Sequence, residues 1–124
     1  MYKRQEWAKA QEGSDAPSML ITGVVVARSA FIDENPQAVS DFLDAYKQSV
    51  AYANEHVDET AALIGQYDII TEEVAKVALP QCAIVYIDGE EMTQALSGYL
   101  QVLYDQNPAS VGGALPDEAF YYQR

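Results

Sequence analysis

His56 lies in "NEHVDE" beside Asp58 and Glu59, and an imidazole flanked by carboxylates is a donor set that could hold a divalent metal. Metal ligands must converge, as two histidines one helical turn apart do, and His56 is the only histidine in the chain. Its expected role is instead that of a cation near a helix C-terminus, where the negative end of the dipole favours it. Cys82 could act as a nucleophile, but no histidine is close in sequence to serve as its base, so a small buried thiol is expected. A single cysteine also leaves no internal disulfide and no cysteine-based zinc site. Glu90 and Glu91 form a carboxylate pair of the kind used in acid/base catalysis. They follow Asp88 and Gly89 at a helix start, however, and the spacing of Asp88 and Glu91 is that of a capping box. Phe120, Tyr121 and Tyr122 could stack on an aromatic or sugar ligand, and sealing a core is the expected task of such a cluster. No catalytic residue, bound metal or cofactor is expected from these positions.

The charge balance narrows the partners. Seven Lys and Arg stand against nineteen Asp and Glu, a formal net charge of −12. Such a surface repels phosphate backbones and has no basic stripe to release counterions, which disfavours nucleic acid and anionic membranes. With 124 residues, of which 49% are hydrophobic, the chain has the size and composition of one globular domain. No apolar run approaches the roughly 18 residues that cross a bilayer. The opening "MYKRQEWAKAQEGSD" lacks the apolar core of a secretory signal.

The elements that must position these residues can be read in order. "LITGVVVAR", residues 20–28, has Ile21, Gly23, Val25 and Ala27 on one face of a period of two and Leu20, Thr22, Val24 and Val26 on the other. Both faces are largely apolar and rich in β-branched residues, which predicts a strand covered on both sides in a mostly parallel sheet. "DENPQAVSDFLDAYKQSVAYANEH" follows, with Asn35 as expected N-cap and Pro36 at the first helical position. Val39, Phe42, Leu43, Tyr46, Val50 and Ala53 make its core-facing stripe. A second helix is expected with Asp58 as cap, and a third from Thr71, its first turn carrying Glu72 and Glu73 and its end set by Pro80. "CAIVYID" reads as a short extended segment. A last long helix then presents Met92, Leu96, Tyr99, Leu100 and Leu103.

This inventory holds one two-faced strand, one short extended segment and four helices. Helices can cover the faces of a strand but cannot pair its backbone, so most N–H and C=O groups of residues 20–28 lack partners within the chain. Leaving one apolar face in water forgoes about 1.5–3 kcal/mol per large side chain. The missing strands are therefore expected from elsewhere, most simply from upstream sequence. Residues 1–16 read as a truncated leader or linker, and "MYKRQ" has the look of translated sequencing-adapter sequence.

"GVVVARSAFIDENPQAVSDFLDAYKQSVAYANEH", together with "ALPQCAIVYIDGEEMTQALSGYLQVLYDQNPASVGGALPDEAFYY", resembles the closing portion of solute-binding proteins of the nitrate/sulfonate/bicarbonate (taurine-like) ABC importer class. The resemblance covers about residues 17–122, with residues 17–124 as the post-hinge strand and closing helices. It implies an α/β fold, the two-lobed periplasmic-binding-protein (type II, Venus-flytrap) architecture, of which this chain contributes mostly helices and one or two strands. It further implies an exported receptor, periplasmic or membrane-anchored outside the cell, that closes on a small molecule and delivers it to an ABC permease and its ATPase. Ser18, Met19 and Thr22 lie nearest the hinge of such a receptor and are the ligand contacts the resemblance suggests. An enzyme on the same fold, a pyrimidine-precursor synthase, carries a cysteine cluster that this chain lacks. The alternative is a complete small acidic module that docks partners by strand addition.

Overall fold

Helix forms where the apolar residues recur at the helical period. The computed structural model describes Trp7 and residues 19–124. Residues 19–124 form five α-helices, α1 (Ser29–Glu34), α2 (Pro36–Glu55), α3 (Val57–Gln66), α4 (Glu72–Ala78) and α5 (Gly89–Gln106). Short 3-10 turns follow at Leu79–Gln81, Pro108–Val111 and Glu118–Phe120. Contacts divide the chain into two units: Ala27–Tyr86, and a second that holds Ile87–Arg124 together with Trp7 and residues 19–26.

No strand occurs among the described residues, which corrects the expectation for residues 20–28 and for "CAIVYID". A strand is defined by its ladder, and residues 19–27 make no backbone hydrogen bond to any described residue. Val24, Val25 and Val26 are 59%, 52% and 81% exposed. The local pattern is that of a strand, but the chain offers it nothing to pair with.

In the Ala27–Tyr86 unit, α1 is a helical turn absent from the sequence-based inventory, and none of its residues is buried. Pro36 opens α2 and Asn35 holds its N-cap position, as expected, but the Asn35 side chain makes no cap bond. The Asn35 amide Nδ2 instead donates to the Phe31 carbonyl at 3.1 Å, and the Asn35 N–H donates to the same oxygen at 3.0 Å. Asn35 thus closes the end of α1. Val39 and Val50 of the α2 stripe are buried, whereas Phe42 and Tyr46 remain exposed.

Helices α3 and α4 meet through small residues, Ala61 and Ala75. A Cβ on Gly65 would sit 3.2 Å from both the Cβ and the N of Glu72, so any larger residue there would force the start of α4 to give by a few tenths of an ångström. The turn between them is a Schellman motif: Asp68 N–H donates to the Gly65 carbonyl at 3.1 Å and Ile69 N–H to the Ile64 carbonyl at 3.1 Å. Asp68 occupies the left-handed position, with φ 54°. Asp68→Gly is therefore expected to stabilise the chain by about 0.5 kcal/mol, the relief of left-handed strain outweighing the extra freedom of the unfolded glycine. A higher urea midpoint with unchanged slope would record it. Helix α4 begins after Thr71 with Glu72 and Glu73 in its first turn, as expected, and Pro80 lies in the 3-10 turn that ends it.

In the second unit α5 buries Gly98 and Val102. The C-terminal residues fold back on its first turn. Gln123 Nε2 donates to Thr93 Oγ1 at 2.7 Å, and the Arg124 guanidinium lies 3.8 Å from Asp88. Tyr121 is the buried member of the terminal aromatic cluster, and Phe120 packs edge-on against it with ring centroids 5.3 Å apart. Trp7 stacks on Tyr99 with centroids 4.8 Å apart.

Candidate functional site

In the Ala27–Tyr86 unit a cluster of polar side chains sits at the elbow between α2 and α3. His56 serves at once as the C-cap of α2 and the N-cap residue of α3, its N–H donating to the Tyr52 carbonyl at 2.8 Å. His56 thus stands where the negative end of the α2 dipole meets the positive end of α3, with Asp58 and Glu59 in the first turn of α3. The His56 ring stacks on Tyr52 with centroids 4.5 Å apart, and His56 Nδ1 lies 3.7 Å from the Glu59 carboxylate. The Tyr52 hydroxyl donates to Glu59, and this hydrogen bond holds the Tyr52 phenol above its usual pKa. No cluster of three or more His, Cys, Asp or Glu among the described residues could hold a metal ion.

Next to the elbow, an open groove is lined by residues of α2 and α3, including Gln48, Ser49, Tyr52 and Leu63. Thr60 also lines it, and its Oγ1 is buried without a hydrogen-bond partner. Sequence spacing gave no sign of this groove, because its two walls come from different helices. Between α3 and α4, Lys76 bridges Glu72 at 2.8 Å and Asp58 at 3.8 Å, and the bond to Glu72 raises the Lys76 pKa.

Other candidates resolve into local structure. Cys82 is exposed, which corrects the expected buried thiol: the Leu79–Gln81 turn carries it to the surface. Glu90 and Glu91 lie in the first turn of α5, and Glu90 accepts a hydrogen bond from Gln94 at 3.2 Å. Asp88 is the N-cap residue of α5, but its side chain makes no cap bond, so the capping box does not form. The carboxylate faces Arg124 instead. An aromatic set is exposed in part on α2: Phe42 stacks on Tyr46, Tyr46 meets Tyr86 edge-on, both at 5.8 Å, and Lys47 Nζ stands 5.8 Å from the Tyr86 ring centre.

Of the three expected ligand contacts, Ser18 lies outside the described residues. Met19 and Thr22 are both exposed, at the start of the unpaired apolar segment. The two grooves found in the Ala27–Tyr86 unit are lined by other residues.

Residues 12–60 match the family described as NMT1/THI5 like. The matched stretch contains the unpaired apolar segment, α1 and α2 and ends inside α3. Neither a curated protein nor a solved structure gives a significant match.

Proposed function

We propose that the chain is the closing portion of an extracytoplasmic solute-binding receptor, one that carries a small molecule to an ABC-type permease and its ATPase. The observation that carries the reading is the state of residues 20–28. Of this strand-forming sequence, residues 20–27 make no backbone hydrogen bond to any described residue, and three consecutive valines are more than half exposed. A sheet supplied by the rest of a receptor lobe would satisfy both needs. Phe42 and Tyr46, exposed on the apolar stripe of α2, fit the same cover, since a helix following such a strand packs on its sheet. Supporting it, the NMT1/THI5-like match falls on this strand-then-helix stretch.

In that setting the protein does no chemistry on its ligand. It closes two lobes around a nitrate, sulfonate, bicarbonate or pyrimidine vitamin precursor, with Ser18, Met19 and Thr22 near the hinge. Ligands of open α/β sheets sit at the strand ends, where backbone N–H groups and hydroxyls are free to bind an anion. The acidic surface plays no part in holding an anion, which places recognition on backbone and hydroxyl donors in the cleft.

The test is a thermal-shift screen of the chain joined to its upstream coding sequence, against these anions and thiamine-related pyrimidines. A true ligand at about 100 times its Kd adds about 2.7 kcal/mol of stability. Ser18→Ala combined with Thr22→Val is expected to reduce that shift. A stop codon directly upstream of Met1, or no shift with any ligand of these classes, would overturn the reading.

A further inference from the structure

Residues 19–27, "MLITGVVVA", carry no charge in a chain whose formal net charge is −12. They also lack proline and are rich in β-branched residues, the composition of a segment that pairs readily with another strand. Their backbone makes no hydrogen bond to any described residue. We propose that in the 124-residue chain by itself this segment pairs, antiparallel, with the same segment of a second copy. This goes beyond the receptor reading, since it concerns what the segment does when no receptor sheet covers it.

Two features select a second copy as the occupant. The first is electrostatic. Two molecules of this acidity repel, and of the charge-free stretches in the chain this one is largely exposed and has no backbone hydrogen bond to any described residue, so a second copy can approach it at low cost. The second is self-complementarity. A two-fold antiparallel pairing about Gly23 sets Leu20 against Val26, Ile21 against Val25 and Thr22 against Val24, so apolar or β-branched residues face one another at each step. Gly23 falls on the axis, directly opposite its own copy, and within its own chain a Cβ there would meet nothing within 4 Å. A two-stranded ribbon is marginal, so the association is weak, depends on concentration and strengthens with salt as the repulsion is screened.

A cysteine on the axis tests the geometry. Gly23→Cys in a Cys82→Ser background, under mild oxidation, is expected to form a disulfide dimer about tenfold faster than Val77→Cys in the same background. Val77 is 74% exposed on α4 and serves as the control for random encounter. Adding Val24→Lys, at a position that is 59% exposed, places a charge in the window and should bring the Gly23→Cys rate down to the control. Amide exchange of residues 20–26 should slow as the concentration of the unmodified chain is raised. Equal cross-linking rates at positions 23 and 77, or exchange independent of concentration, would overturn the proposal.

Discussion

Replacing Tyr121 with alanine is expected to destabilise the C-terminal unit by about 3 kcal/mol, the low end of the cost of deleting a buried ring. Tyr121 is 9% exposed and is the only residue of the last ten that is buried. Around it the tail is tied to α5 by exposed polar contacts, Gln123 to Thr93 and Arg124 to Asp88. Contacts of that kind contribute little each and depend on the tail being held in place. The ring is the buried anchor of the tail, and its loss is expected to free residues 121–124. Tyr121→Phe should be close to neutral, since the hydroxyl has no hydrogen-bond partner among the described residues. Trp7, the single tryptophan, stacks on Tyr99 of α5 and provides the fluorescence readout of unfolding in this unit. A Tyr121→Ala midpoint equal to that of the parent would show that the tail contributes no packing.

Ala61→Leu should cost about 2 kcal/mol, through overpacking. Ala61 is fully buried and Ala75 is 2% exposed, so the junction of α3 and α4 has no room for added methyl groups. Gly65 against Glu72 sets the same limit one turn on. A leucine at position 61 must push α4 away, which also strains the Schellman turn and the Lys76–Asp58 pair. Ala61→Gly is the companion variant. It leaves the spacing intact and should lose about 1 kcal/mol through helix propensity. Far-UV circular dichroism of urea unfolding distinguishes the two, and a leucine variant as stable as the parent would mean that the helices separate freely.

How far the sequence alone reached can be judged at particular residues. Pro36, Thr71 and Asp88 mark helix starts, and each helix begins where they place it. The start of α3 falls earlier than Asp58 suggested, because His56 takes the N-cap position and Asp58 lies in the first turn. Cap positions follow from local backbone geometry, but the partners of capping side chains do not. Asn35 turned back to Phe31 and Asp88 faced Arg124, 36 positions away in sequence, and neither choice leaves a trace in residue spacing. Cys82 shows the same limit: a small apolar residue type suggests burial, yet the turn before it leads to the surface. The groove between α2 and α3, with the unpartnered Thr60 hydroxyl, was invisible for that reason too.

The sequence by itself determined the helices, the acidity, and the strand-like character of residues 20–28, since each depends on neighbours a few positions apart. Only the tertiary structure decided what is covered. It buries Val39 and Val50 while leaving Phe42, Tyr46 and the three valines in water, and it seats Tyr121 rather than Phe120. Helical hydrogen bonds close within four residues and can form in a short chain, whereas a ladder and a buried face require partners that residue order alone does not supply.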